Sequence, residues 1–251
     1  MSSAAPRIAP KIASETNDPG RRLNPRMIDS DWLVMRGMAK AIGALAEKVA
    51  RPGAVAIDFG CGSMPYRPIF ADAGCRYLGA DFEGAPDIDI DAAGLLAADD
   101  ASTDLLLSFQ VLEHVRDLDI YFSEARRVLR PDGRMLLSTH GTWLYHPHPE
   151  DHRRWTREGL VAEIKGHGFE VSDCIPVLGP LGWTTVLRLT CFCHVVRKIP
   201  FAGAPLAGAL CVVMNLRALL EEAVTPKAVT AENACVYVTL SRPRAAGEPR
   251  C

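Results

Sequence analysis

Apolar residues recur at three- and four-residue steps from Trp32 through Met35, Met38, Ala39, Ile42 and Leu45 to Val49, the spacing of one helix face. Ser30 or Asp31 stands where a cap belongs, and Arg51-Pro52-Gly53 ends the run. The pattern then changes. Residues 54–59, 76–80 and 135–139 are short apolar runs, and 103–109 is almost continuously apolar, as in a parallel sheet covered on both faces. Helical stretches are predicted at 68–73 and 118–129, the second stopped by Pro131-Asp132-Gly133, with a short extended edge at 87–91. A helix over 156–166, an extended segment over 169–177 and a final strand over 234–241 complete the reading. Strands alternating with helices imply right-handed crossovers and a doubly wound α/β sheet. Residues 31–243 are expected to form a single domain. Residues 1–30 read as a flexible arm, 178–224 as an apolar helical insert or lid broken by Pro and Gly, and 244–251 as a tail.

Composition narrows the classes. The 251 residues are 48% hydrophobic and 23% charged with a formal net charge of -2, which suits a globular chain. Basic pairs at Arg21-Arg22, Arg126-Arg127 and Arg153-Arg154 form no stripe of the kind that binds a phosphate backbone, so no nucleic-acid partner is expected. The eight cysteines are irregularly spaced and one lies in a glycine loop, which points to a reducing, cytoplasmic setting. Cys191 and Cys193 read as small core residues. The longest uncharged run, 199–216, contains Pro200, Gly203, Pro205, Gly208 and Asn215, which argues against a spanning helix. Arg197-Lys198 beside it favours anionic lipid, so peripheral contact with the inner membrane face through 186–220 stands beside the alternative of a buried helix pair over the active site.

The chemistry begins at Asp58-Phe59-Gly60-Cys61-Gly62, the first strand-to-helix turn, where open α/β sheets bind ligands. Glycines there let the backbone approach a ligand. Asp81, about 20 residues on at the end of the next strand, is placed to accept both ribose hydroxyls of an adenosine-type cofactor. A dinucleotide loop would carry a third glycine where Pro65 stands, and Asp58 would repel a pyrophosphate but attract a cationic sulfonium cofactor bearing an amino group. Asp58-Phe59-Gly60 also spells a kinase magnesium motif, without the other kinase segments.

With Val111-Leu112-Glu113-His114-Val115 and Arg127-Val128-Leu129-Arg130-Pro131-Asp132-Gly133 following in order, the chain resembles the class I S-adenosylmethionine-dependent methyltransferases, and among them the bacterial type-11-like branch. The resemblance covers residues 31–176 and the last strand; Asp132 departs from it, where a glycine is usual. It implies a mostly parallel seven-stranded Rossmann-like sheet with an antiparallel last strand and a helical insert before it. It also implies S-adenosyl-L-methionine as cofactor, with Gly60, Cys61 and Gly62 at the methionine part, Asp81 and Phe82 at the ribose end, Asp91 with Ala92 near the adenine, and Gln110 facing the reactive methyl. Asp87 and Asp89 compete with Asp91 for its role, and Glu113 reads as a support rather than a reactant.

Four of the seven histidines fall between Thr139 and Thr156. Their spacing matches no standard zinc pattern, so no metal is expected. His140 and His146, with His114, are the candidate general bases for an attacking hydroxyl or amine. Asp151 with Arg154 reads as a structural pair holding the loop. The segment from Tyr145-His146-Pro147 to Asp151 and Arg154-Trp155-Thr156 resembles a loop in bacterial methyltransferases associated with glycan biosynthesis. The expected function is O- or N-methylation of a small-molecule or glycan-type acceptor. The alternatives are a non-catalytic cofactor-binding or membrane-docking protein and an NAD(P)-binding oxidoreductase.

Overall fold

A computed structural model describes residues 19–148 and 150–245. Seven strands form one sheet in the order β3-β2-β1-β4-β5-β7-β6. They are β1 (Val55–Phe59), β2 (Arg76–Asp81), β3 (Ile88–Asp89), β4 (Thr103–Phe109), β5 (Leu129–His140), β6 (Phe169–Val177) and β7 (Val236–Pro243). The first five run parallel, and β7 pairs antiparallel with both β5 and β6. Strand order reverses between β1 and β4, and this switch point places the glycine loop, Gln110 and Asp81 at one edge.

The apolar runs are explained by burial on both faces. Leu105, Leu107 and Phe109 belong to the core beneath α2 (Trp32–Val49) and α3 (Arg67–Asp72), whereas Leu106 belongs to the core beneath α4 (Leu118–Val128) and α5 (Arg157–Gly166). The α2 stripe is buried at Leu33, Val34, Met38, Ile42 and Leu45. Asp31 does not cap α2 with its side chain; its carboxylate pairs with Arg21 instead. Thr156 does cap α5, accepting from the Gly159 N–H at 3.1 Å.

Two segments depart from the sequence reading. Pro131-Asp132-Gly133 does not separate helix from strand: α4 ends at Val128, and β5 already pairs at Leu129 with Thr103 before resuming at Arg134 with Leu105. The turn residues are therefore an excursion inside the strand, which costs little because Asp132 is exposed. In the second, part of the span read as a flexible arm is folded, since α1 (Pro19–Leu23) packs on α2 and Arg21 bridges Asp29 and Asp31. Residues 1–18 of that arm, and 246–251 of the tail, lie outside the described residues.

The 178–224 block is a helical hairpin, α6 (Pro180–Val196) and α7 (Gly203–Val224), followed by α8 (Lys227–Glu232). Its residues meet through small side chains, with Cys193 Sγ 3.3 Å from Cys211 Sγ and Ala207 and Ala218 buried. Cys191, expected in the core, is exposed. Pro205 and Gly208 do not break α7, because proline in a first turn loses no hydrogen bond. The result is one helix long and apolar enough to cross a membrane, with 28% of its most apolar window buried.

Candidate active site

Asp58 shares with Ala56 the α2-covered face of β1 and is 2% exposed. Its Oδ2 accepts a hydrogen bond from the Tyr77 phenol, a diagonal neighbour on β2, whereas its Oδ1 is buried without a partner. Burial pushes the carboxyl up to about 7, against the pull of Tyr77. An orphaned buried carboxylate oxygen is the natural counterpart of a bound cation.

The loop beyond it is built by backbone. Gly60 has φ +83, and a Cβ there would stand 2.7 Å from Val111 Cγ2, so glycine alone fits. Gly62 has φ +51 with open space beside it. The Gly60 and Cys61 N–H groups donate to the Ala80 carbonyl at 2.9 and 3.0 Å. The Gly62 N–H donates to Asp81 Oδ2 at 2.7 Å, and the Phe82 N–H to Asp81 Oδ1 at 2.8 Å. Asp81 thus pins the loop, its Oδ2 also facing the Cys61 thiol at 3.9 Å, while Oδ1 keeps a lone pair for a hydroxyl. Phe82 follows it as an exposed ring. Cys61 contributes backbone: its side chain is buried, and burial followed by the charges of Asp58 and Asp81 pushes the thiol up to about 12.

Two expected positions sit differently from a simple ligand contact. Asp91 lies beside the ribose acid, since the Ile90 N–H donates to the Asp81 carbonyl at 3.0 Å, yet its Oδ1 already closes its own turn with the Ala93 and Leu95 N–H groups. Its competitor Asp87 is committed to the Gly79 N–H at 2.9 Å. Gln110 has φ +60 and turns its amide back, Nε2 donating to Ser138 Oγ at 3.0 Å, with Oε1 buried and unpartnered.

The sequence reading missed Tyr77, Tyr66 and Arg22. The phenol of Tyr77 could have been found from the parallel register, which sets Tyr77 opposite Ala56. Arg22, from α1, acts on both Asp58 and Tyr66, its positive charge opposing the upward push of burial on each. No periodicity announced that contact.

At the neighbouring edge, the histidine loop leaves and re-enters the fold at one point, where the Trp155 N–H donates to the His140 carbonyl at 3.1 Å. Arg154 grips both Asp151 oxygens, at 2.5 and 2.7 Å, and reaches the Leu144 carbonyl at 2.9 Å. Burial would raise the Asp151 carboxyl, but Arg154 holds it at about 2. The loop docks on the segment after β4: the His152 N–H donates to the Glu113 carbonyl, and Arg153 donates to the Val115 and Arg116 carbonyls.

Beneath it, His140 stacks on Trp143 at 5.5 Å, and its Nε2 lies 3.4 Å from Glu113 Oε1. Glu113 is fully buried, and its Oε2 accepts from the Thr139 hydroxyl at 2.8 Å. Burial pushes Glu113 up to about 7 and holds His140 well below the usual histidine range. The His146 ring centroid lies 5.0 Å from those of His114 and His140. Burial, then the neighbouring His114, lowers His146 to about 4, and burial lowers His114. All three candidate bases therefore come together, and burial favours the neutral imidazole in each.

A family model for a methyltransferase domain matches residues 34–173, more than half of the chain. The chain belongs to the class I S-adenosylmethionine-dependent methyltransferases. This methyltransferase is 32% identical over 143 residues to a Mycolicibacterium smegmatis protein described as "Probable S-adenosylmethionine-dependent methyltransferase"; the match takes in 50% of the chain and 56% of that relative. Among solved structures, the methyltransferase resembles the Burkholderia thailandensis 1,6-didemethyltoxoflavin-N1-methyltransferase with bound S-adenosylhomocysteine (TM-score 0.51, 19% identity, 83% of this chain and 79% of that one). It also resembles the Haemonchus contortus phosphoethanolamine N-methyltransferase 2 in complex with S-adenosylmethionine (TM-score 0.51, 13% identity, 93% and 61%). At these identities the structures establish the shared fold. The residues of the methyltransferase fit the cofactor of the class: an orphaned Asp58 oxygen for a cationic group, a glycine cradle at Gly60 to Gly62, and a carboxylate at Asp81 for hydroxyls.

Proposed function

We propose that the chain transfers a methyl group from S-adenosylmethionine to an oxygen or nitrogen of a small-molecule or glycan-type acceptor. The observation that carries this reading is that a buried unpartnered carboxylate oxygen on Asp58 and the clustered His114, His140 and His146 both stand toward the carboxyl ends of the same parallel strands. When bound, S-adenosylmethionine supplies a methyl group already activated by its sulfonium. The work left to the chain is alignment and exclusion of water. Asp58 holds the cationic end, the glycine loop lies against the methionine part, Asp81 holds the ribose, and Phe82 and Asp91 flank the adenosine. Gln110, pinned by Ser138, faces the reactive methyl. His140 or His146 takes the proton that a hydroxyl or amine sheds on attack, the His140 ring being held by its stacking on Trp143.

Calorimetric titration with S-adenosylhomocysteine tests the donor site: binding to the wild type and its loss in Asp81→Ala support it, whereas binding of NAD alone would replace it with an oxidoreductase.

A second reading concerns location. We propose that the outer face of the α6–α7 hairpin rests on an anionic membrane surface. Phe192, Val195, Phe201, Val213 and Leu220 are exposed on it, and Phe201 stands fully out between the helices, next to Arg197 and Lys198. Sedimentation with anionic vesicles, lost in Phe201→Asp, supports it; equal partition with and without vesicles refutes it.

A further inference from the structure

The histidine cluster holds more nitrogen and oxygen donors than proton transfer needs. Three ligand atoms, one each from Glu113, His114 and His146, lie within 4.8 Å of one another. Tetrahedral bonds of about 2.1 Å put ligand atoms about 3.4 Å apart, so the spread would have to close by up to about 1.4 Å, within reach of side-chain rotation.

The other atoms of these side chains are already used in the manner of metal ligands. Glu113 gives Oε2 to the Thr139 hydroxyl, which leaves Oε1 buried and without a hydrogen-bond partner. His114 Nδ1 faces the Glu150 carbonyl at 2.6 Å, and His146 Nδ1 faces the Leu144 carbonyl at 3.2 Å. A carbonyl partner fixes the proton on Nδ1 and presents the Nε2 lone pair, the arrangement that orients metal-binding histidines. Arg154 approaches His146 at 3.5 Å and would repel a cation, but its charge is matched by its two bonds to Asp151.

We propose that Glu113 Oε1, His114 Nε2 and His146 Nε2 bind one first-row divalent transition-metal ion. Two imidazoles and a carboxylate with no thiol suit zinc, iron(II), cobalt or manganese, and three protein ligands leave positions open. His140 Nε2, 3.4 Å from the same Glu113 oxygen, flanks the open side, and with His146 committed to the ion it is the histidine left to take the acceptor's proton. Such an ion would hold and acidify an oxygen of the acceptor, a purpose that rests on the proposed methyl transfer, although binding itself does not. The spacing along the chain hid this set, because Glu113-His114 follow β4 whereas His146 follows β5.

The test strips the full-length protein with a chelator and titrates Zn²⁺ by competition and Co²⁺ by its visible absorption. One ion per chain is expected. His114→Ala and His146→Ala, both at half-buried positions, should each weaken Zn²⁺ binding by more than about 100-fold and remove the Co²⁺ bands, since even an outer partner of a ligand is worth 10–100-fold. Circular dichroism confirms that each variant is folded. Sub-stoichiometric binding by the wild type, or unchanged binding in the double variant, overturns the proposal. S-adenosylhomocysteine titrated into the same samples reports the donor site separately, so metal binding without nucleoside binding would sink the methyl-transfer reading alone.

Discussion

The two halves of the active edge are made of different materials. The donor half is backbone: glycines in left-handed conformations, N–H groups turned onto Ala80 and Asp81, and open space beside Gly62. The half proposed to face the acceptor is side chain: stacked rings over a fully buried carboxylate, closed by an arginine clamp. A backbone cradle recognises what every ligand of a class shares, whereas a side-chain box is specific to its contents. The difference predicts that the halves can be damaged independently.

The largest effect is expected from Asp58→Ala. Removing the buried partner of a bound cation costs about 2–5 kcal/mol, so S-adenosylhomocysteine affinity should fall by about 30-fold to a few thousand-fold by calorimetry. Glu113→Ala should do the reverse, leaving that affinity unchanged. The Thr139 hydroxyl loses its acceptor at a cost of about 1–3 kcal/mol, visible as a lower melting temperature. Loss of nucleoside binding in this variant would show that the halves are coupled.

The third prediction is a pH dependence. Asp58 must be ionised to hold a cation, and burial places its pKa at about 7. Affinity should rise as pH climbs toward 7, by up to about tenfold per unit, or roughly 1.4 kcal/mol, and then level off. Asp58→Asn should flatten the curve. The stability contribution runs the other way: a raised folded-state pKa means the native protein holds its proton longer, so this contribution is present at low pH and is lost between about 4 and 7. The smallest effect belongs to Gly62→Ala, where a left-handed φ costs about 1 kcal/mol and nothing is displaced. The same change at Gly60 should weaken binding more, since Val111 must also move.

The contrast also explains what could be read in advance. Strands and the glycine loop are legible because period, glycine and spacing are local, and Asp58, Gly60 and Asp81 stand out as candidates for that reason. The roles of Glu113 and His114 depend on how the loop after β5 folds back over the segment after β4, which no local pattern records. The capping role expected of Asp31 failed because Arg21 competes for the same carboxylate. Pro205 was misread as a breaker because its effect depends on falling in a first turn, a boundary set by the packing of α6 on α7.

The hydrogen bond between the Trp155 N–H and the His140 carbonyl gives the histidine loop the character of a cassette. Its two ends are held together whatever lies between them, and lengthening such a loop twofold costs only about 0.6 kcal/mol of closure entropy. In evolutionary terms the segment can be exchanged wholesale while β5, α5 and the donor half stay as they are. With the loop framing the acceptor as proposed, a lineage built on this scaffold could change what it modifies without relearning how to bind the reagent that modifies it.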